Sequence, residues 1–146
     1  MTLKLNDYEI DWRRLLGFGA FGRVYPAEEK KSKHHLALKE MDMRKKSDKE
    51  IDMAKREAAI LSKLKHEFIL EFRDSFWEGS DVRKPPEGDY FFILMELGSG
   101  KDMQDVIDEA NKKQTDVPEE FVVRAFAQAL LGLRAVPGHN IVHRDI

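Results

Sequence analysis

Strand-like patterning dominates the first half of the chain. We expect strands over residues 8–17, 23–28 and 35–41, and two more over residues 68–77 and 90–97. The links between the first three strands are too short for crossover helices, so these strands are predicted to form an antiparallel meander. Pro26 is unusual within such a meander, because proline has no N–H to contribute to the ladder of a central strand.

One helix is predicted between the third and fourth strands, over residues 47–64. Its start has the spacing of a capping box, with Ser47 three positions before Glu50. The apolar positions at helical spacing are Met53, Ile60, Leu61 and Leu64. Glu57 falls on the same stripe, and a carboxylate on a buried face is costly unless a partner compensates it. We therefore expect a cation beside Glu57.

The second half of the chain becomes helical after a glycine hinge at residues 98–100. Helices are predicted over residues 102–111 and 118–136, the second with Pro118 near its first turn. The stretch 78–89 carries glycines, prolines and charges between the last two strands, which is typical of a surface loop. The predicted fold class is therefore α+β, with a five-stranded antiparallel sheet and one helix followed by two further helices.

Composition excludes several classes of protein. The 146 residues are 42% hydrophobic and 36% charged, as in a soluble globular domain, and include no cysteine. The net charge of −2 gives no reason to expect binding to nucleic acid or to a membrane surface. No apolar run approaches the roughly 20 residues that a membrane span needs. We expect no disulfide scaffold, no thiolate metal site, and a cytoplasmic or nuclear location.

The glycines at positions 17, 19 and 22 form a G-x-G-x-x-G motif, which has more than one interpretation. A dinucleotide-binding fold would open a helix at the last glycine and place an acidic residue about 20 positions later. Here Gly22 leads into a strand pattern, and Lys39 lies near that position, so a dinucleotide-dependent oxidoreductase is disfavoured. The motif alone fits equally an ordinary glycine-rich hairpin and a hairpin whose backbone approaches phosphates.

Two charged positions shift this balance toward phosphate binding. Ala37 and Lys39 lie on one face of a predicted strand, which leaves room for a planar base beside an ammonium group. A surface lysine is the simpler interpretation of Lys39 alone. A pair between Lys39 and Glu57 would explain both placements at once. Near the end, Asp145 follows His143 and Arg144 and could accept a hydroxyl proton, although this tripeptide alone is also typical of a solvated loop.

In this order and spacing the motifs resemble the catalytic domain of eukaryotic protein kinases, over nearly the whole chain. Residues 95–97 through 126–128 are similar to the NimA-related serine/threonine kinases. The resemblance implies a small lobe over residues 1–97, which carries the ATP-binding elements, and the start of a large lobe over residues 98–146, which ends at the catalytic-loop motif.

The resemblance also implies roles for individual residues. Asp145 would be the catalytic base, Lys39 would contact the phosphates, and Glu57 would hold Lys39. Met95 would be the gatekeeper, with Glu96 and Leu97 in the hinge that binds adenine through its backbone. The implied nucleotide-binding residues are Leu16, Gly17, Phe18, Gly19, Ala20, Phe21, Gly22, Val24, Ala37, Lys39, Met95, Glu96 and Leu97.

The implied activity is transfer of the γ-phosphoryl group of Mg-ATP to a protein hydroxyl. The Asn and the Asp-Phe-Gly that hold Mg²⁺ in the family follow the catalytic loop, so residues 1–146 contain no metal ligands and are expected to be inactive alone. The alternative is a non-catalytic nucleotide-binding or interaction module that regulates another kinase. The helix at 118–136 should expose an apolar face, formed by Phe121, Val122, Phe126, Leu130, Leu131 and Leu133, to a partner or a second copy.

Overall fold

The computed structural model describes residues 5–19, 22–79, 89–98 and 100–136. The chain divides into two compact units. The first comprises Met1–Lys65 and Leu70–Leu97, and the second comprises His66–Ile69 and Gly98–Ile146.

The first unit is an antiparallel sheet with one helix, which confirms the predicted α+β class. A short 3₁₀ helix at Leu5–Asp7 precedes strands β1 (Tyr8–Ile10), β2 (Gly17–Gly19), β3 (Gly22–Glu29) and β4 (His35–Asp42), helix α1 (Asp48–Leu61), and strands β5 (Phe72–Glu78) and β6 (Tyr90–Glu96). The strand order is β1-β3-β4-β6-β5, and β2 pairs with β3. The early strands form the expected meander, whereas α1 leads to the edge strand β5 and β6 returns beside β4.

The first predicted strand is interrupted, so the prediction of one strand over residues 8–17 is wrong. Residues 11–16 lie opposite only Tyr25 and Pro26 of β3. Asp11 forms a local turn there, since its side chain accepts a hydrogen bond from the Arg13 N–H at 3.1 Å and its carbonyl accepts one from the Arg14 N–H at 3.2 Å. This side-chain bond competes with the ladder, and the chain bulges. The sheet therefore has six strands rather than five.

The bulge also explains how β3 accommodates Pro26. The carbonyl of Pro26 accepts a hydrogen bond from the Asp11 N–H at 3.1 Å, so it points toward the bulge. In an antiparallel strand the nitrogen and the carbonyl of one residue point to the same neighbour. The missing N–H therefore removes no bond from the ladder to β4, where Pro26 lies opposite Ala37.

Two apolar clusters lie on opposite faces of this sheet. Alternation along β6 sends Phe92 and Leu94 to one cluster and Phe91 and Ile93 to the other. The first cluster comprises Tyr8, Ala27, Leu36, Leu38, Phe76, Phe92 and Leu94. The second joins the sheet to α1 and comprises Met41, Met43, Ile51, Ala54, Ala58, Phe91 and Ile93. Each fully buried leucine or isoleucine contributes about 1.5–3 kcal/mol to folding.

Helix α1 begins as predicted but presents a different face to the sheet. The Ser47 N–H donates to the Glu50 carboxylate at 2.9 Å, and the Ser47 hydroxyl accepts from the Glu50 N–H at 3.4 Å, which confirms the capping box. The predicted apolar stripe is wrong at Met53, which is 53% exposed, whereas Leu64 is buried and Leu61 packs against the second cluster. The buried positions are Ile51, Ala54 and Ala58, and the small alanines allow the helix to approach the sheet closely. The helix ends at Leu61, before the predicted position.

The second unit contains the two predicted helices, α2 (Met103–Lys113) and α3 (Glu119–Ala135). The Asp105 N–H donates to the Asp102 side chain at 2.7 Å and so caps α2, while Pro118 precedes α3. Within this unit Gly132 of α3 packs against residues 66–69, since a Cβ there would come 3.1 Å from the carbonyl oxygen of Phe68. The predicted start of the fourth strand at residue 68 is wrong, since β5 begins at Phe72. Across the described ranges, no helix is long and apolar enough to cross a membrane.

Candidate functional site

The glycine motif forms the β2–β3 hairpin. Gly17 lies opposite Val24, and Gly19 lies opposite Gly22. Gly22 has φ of 130°, and a Cβ there would lie 2.1 Å from the carbonyl oxygen of Glu40, so only glycine fits. Around Gly19, by contrast, the Cβ position meets no described atom within 4 Å. The third glycine is therefore required by the sheet itself, while Gly19 leaves its backbone open to a ligand.

Cross-strand register brings several predicted site residues onto one face of the sheet. Directly opposed residues point to the same face. Gly17 opposes Val24, Val24 opposes Lys39, and Ala37 opposes Met95. Because Ala37 and Lys39 are two positions apart in β4, these five residues share one face, which we call the glycine–lysine face.

Two predicted site residues lie elsewhere or at the margin of this face. Phe18 opposes Arg23, which places it on the other face of the hairpin, and it is 76% exposed. Leu16 precedes the hairpin and donates its N–H to the carbonyl of Val24 at 2.8 Å, with its side chain largely exposed. Ala20 and Phe21, which were also predicted to contact nucleotide, lie outside the described residues.

Lys39 and Glu57 meet at the edge of the glycine–lysine face. The Nζ of Lys39 donates to a carboxylate oxygen of Glu57 at 2.6 Å, and 16% and 36% of the two side chains, respectively, are exposed. Glu57 lies beside the buried positions Ala54 and Ala58 rather than on the buried face itself. The pair can form there because it keeps contact with water, which limits the desolvation of both charges. The result is an ammonium group fixed beside the glycine hairpin.

Beneath this pair lies Ile93, a residue that the sequence reasoning did not assign to the site. Ile93 opposes Lys39 in the register of β4 and β6 and is fully buried. It therefore supports the aliphatic part of the lysine side chain. The period of two along β6 gives a signal for this role, since Ile93 and the predicted Met95 fall on the same face.

The end of β6 is fixed by a second residue that was missed. The Glu96 N–H donates to the carbonyl of Glu71 at 2.8 Å, and the Glu71 N–H donates to the Glu96 side chain at 3.2 Å. The N–H of Glu96 is therefore already used within the protein. A base bound at this hinge would need other main-chain groups of Glu96 and Leu97. No local pattern in the sequence identifies Glu71.

Ionisable groups with shifted pKa values lie away from the glycine–lysine face. Burial raises the pKa of the Glu40 carboxyl, and Arg23, opposite it in β3, partly offsets this effect. Hydrogen bonds from Arg44 lower the pKa of Asp42. Within the described part of the chain, no group of three or more His, Asp or Glu side chains could hold a metal ion. The described residues therefore do not fit a Mg²⁺ site.

Asp145, His143 and Arg144 lie outside the described residues. The assignment of Asp145 as a catalytic base thus stays a prediction.

Comparison with known proteins gives a consistent result. A family model described as "Protein kinase domain" matches residues 10–146. The human serine/threonine-protein kinase Nek11 is 35% identical over 99% of this chain, human Nek5 is 32% identical over 97%, and human Nek2 is 29% identical over 100%. The chain spans only 21%, 18% and 32% of the lengths of these three relatives, respectively.

Proposed function

Because the chain belongs to the protein kinase domain family, with NIMA-related serine/threonine kinases among its relatives, we propose that it forms the ATP-binding portion of a serine/threonine protein kinase. Residues 1–97 would be the small lobe, and residues 98–146 would begin the large lobe. The observation that carries this proposal is the Lys39–Glu57 pair on the same sheet face as Gly17 and Ala37. A cytoplasmic or nuclear site of action is part of the proposal.

Each residue of the glycine–lysine face has a proposed task. Space for phosphates and a planar base is left by the small or absent side chains of Gly17, Gly19 and Ala37. The ammonium of Lys39 stabilises the phosphate charge, and Glu57 keeps that ammonium in position. Val24 and Met95 offer apolar surface to the base. When bound, ATP supplies the phosphoryl group for transfer to a protein hydroxyl, and Asp145 would accept the proton of that hydroxyl.

Catalysis by residues 1–146 alone is not part of the proposal. The described residues offer no carboxylate cluster for Mg²⁺, and the sequence contains no Asp-Phe-Gly. Neutralisation of phosphate charge by metal is central to phosphoryl transfer, so this polypeptide should bind ATP weakly and turn over negligibly. Phosphorylation of a protein substrate by residues 1–146, abolished by Asp145→Asn, would contradict the proposed inactivity of these residues alone.

Nucleotide binding is tested most directly by amide chemical shifts in ¹⁵N-labelled protein titrated with ATP. We expect saturable shifts at Gly17 and Gly19. Lys39→Met should weaken binding by about tenfold or more, because a charge-assisted hydrogen bond to phosphate is lost. The exposed Lys31 supplies the control Lys31→Met, which removes the same charge away from the site. Equal affinity of the two variants, or saturable binding of NAD but not of ATP, would refute the proposed site.

A non-catalytic interaction module is the second candidate, favoured by the exposed face of α3. Phe126 is 66% exposed, Val123 59% and Leu130 51%, which is unusual for large apolar side chains on one helix. The module would regulate another kinase or self-associate through this face. Light scattering of purified protein distinguishes the candidates. A defined oligomer that Phe126→Glu with Leu130→Glu returns to monomer supports the module, and a monomer for the unchanged chain excludes self-association.

A further inference from the structure

A basic segment with an exposed hydroxyl lies between β4 and α1. Arg44, Lys45 and Lys46 are consecutive, exposed, and immediately precede the exposed Ser47. The segment belongs to neither a strand nor a helix, since β4 ends at Asp42 and α1 begins at Asp48. Three adjacent cations thus stand beside one accessible nucleophile, outside the site described above.

The backbone at Ser47 is extended rather than helical. Its φ of −72° and ψ of 158° are extended, as expected of a residue that caps a helix. Ser47 is exposed, so its hydroxyl can be approached from solvent, and in-line attack on phosphorus would require only the long bond from the Glu50 N–H, at 3.4 Å, and the bond to the Glu50 carboxylate to open. Only the exposed bonds of the capping box restrain that hydroxyl, which donates to the Glu50 carboxylate at 2.8 Å.

We propose that Ser47 is a phosphorylation site for a serine/threonine kinase whose substrate groove is lined with carboxylates. In the reaction the Ser47 hydroxyl oxygen forms a bond to the γ-phosphorus of the ATP held by that kinase. The bond from this phosphorus to the bridging oxygen breaks, ADP leaves, and the hydroxyl proton passes to the kinase's own base. The proposal is independent of nucleotide binding by this chain.

Charge decides between two kinds of modifying enzyme. Acidic residues also follow Ser47, at Asp48 and Glu50, but Lys49 separates them. The Glu50 carboxylate is already held, since it accepts from the Ser47 N–H and from the Lys46 ammonium, each at 2.9 Å. The cations upstream form the denser and less interrupted charge. A groove that reads basic residues before the acceptor therefore complements this segment better than one that reads acidic residues after it.

Existing ion pairs do not prevent such docking. Arg44 pairs with Asp42 at 2.6 Å and Lys46 pairs with Glu50 at 2.9 Å, and all four side chains are substantially exposed. Exposed pairs are weak because water screens them, so carboxylates of a kinase groove can replace these partners.

The modified state would rebuild the start of α1. A phosphate dianion on Ser47 would repel the Glu50 carboxylate from its present position, and its oxygens could accept the N–H groups at the first turn of the helix. Glu50 and Ser47 would no longer form the capping box. Phosphorylation would thus exchange one cap of α1 for another, on the helix that carries Glu57.

In the test, the purified 146-residue protein is incubated with Mg-ATP and one of two probe kinases, in parallel reactions. One is the cyclic-AMP-dependent protein kinase, which selects basic residues two and three positions before its acceptor. The other is a casein kinase that selects acidic residues after its acceptor. Peptide mass spectrometry locates the phosphoryl group. We expect modification at Ser47 by the first enzyme, none in Ser47→Ala, and a kcat/KM lower by about tenfold or more in the Arg44→Ala/Lys45→Ala variant.

Ser32 provides an internal control. Lys30 and Lys31 precede it, but the position three before it is Glu29, which accepts its hydroxyl. The next residue, Lys33, has φ of 62°, so the chain is also tightly turned there. Ser32 should stay unmodified. Equal modification of Ser32 and Ser47, modification by the acid-directed enzyme alone, or phosphorylation of Ser47 only in urea-unfolded protein would each overturn the proposal.

Discussion

Replacing Tyr8 by phenylalanine tests the packing of the first apolar cluster. Tyr8 is 3% exposed, and its ring stacks on Phe76 with centroids 6.1 Å apart. Its hydroxyl oxygen has no hydrogen-bond partner among the described residues. A buried hydroxyl left unsatisfied costs about 1–3 kcal/mol. Tyr8→Phe keeps the ring and removes that cost, so the free energy of unfolding should rise by about 1 kcal/mol.

The same variant should change how stability depends on alkaline pH. Burial, reinforced by the nearby Glu29 and Asp74 carboxylates, raises the pKa of Tyr8 from 10.0 to about 12. Because the folded pKa exceeds the unfolded one, ionisation is disfavoured in the folded state, so titration of Tyr8 leaves stability unchanged below pH 10 and lowers it as the pH rises from 10 to 12. Tyr8→Phe lacks the titrating group. Its stability should therefore fall less than that of the unchanged protein over this range.

Urea unfolding followed by tryptophan fluorescence measures both effects. Titrations at neutral pH and between pH 10 and 12 give the two comparisons. Tyr90, which is half-buried, supplies the control Tyr90→Phe, which should change stability by less than about 0.5 kcal/mol. A loss of about 1 kcal/mol or more in Tyr8→Phe would show that the hydroxyl is satisfied. Equal alkaline losses in both proteins would refute the pH argument.

Three further predictions concern the sheet and α1. Gly22→Ala should destabilise the fold by about 2 kcal/mol or more, because φ is 130° and the Cβ would strike the Glu40 carbonyl. In the same urea titration, the control Gly19→Ala should change stability by less than about 1 kcal/mol. Hydrogen bonds from the Ser47 N–H and from Lys46 lower the pKa of Glu50 to about 2. The contribution of Glu50 to folding stability is therefore present above pH 4.5 and lost as the pH falls toward 2. Circular dichroism should show a shallower acid loss in Glu50→Gln, and identical acid profiles would contradict this account. Leu94→Ala, at a fully buried position, should cost about 2–5 kcal/mol, and Leu15→Ala, at a 51% exposed position, less than about 1 kcal/mol; similar losses would refute the assigned burial.

Local features of the fold could be predicted from sequence because their partners are close along the chain. The capping box joins Ser47 to Glu50 within one helical turn. The buried face of α1 was missed because Ala54 and Ala58 carry little apolar weight, although their spacing from Ile51 is helical. The small size of the two alanines therefore obscured the helical spacing of the buried positions.

Among contacts between residues far apart in the chain, some could be predicted from the sequence and others could not. The Lys39–Glu57 contact could be inferred because Glu57 fell on the predicted apolar stripe and required a cation, which Lys39 on its predicted strand could supply. The contact of Gly22 with the Glu40 carbonyl and the bond from Glu96 to Glu71 involve main-chain atoms. Every residue carries such atoms, so side-chain patterns do not mark them. The break at residues 11–16 likewise depends on the register with β3.

That break gives the glycine hairpin an unusual freedom in evolution. Ile10 lies opposite Ala27 and Gly17 lies opposite Val24, so each ladder is held by its own cross-strand pairs rather than by the segment between them. Residues can therefore be inserted or deleted at 11–16 without sliding either ladder by one position and turning its side chains to the wrong face. The two halves of this edge can diverge in length and sequence independently, and the hairpin keeps its alignment with Lys39.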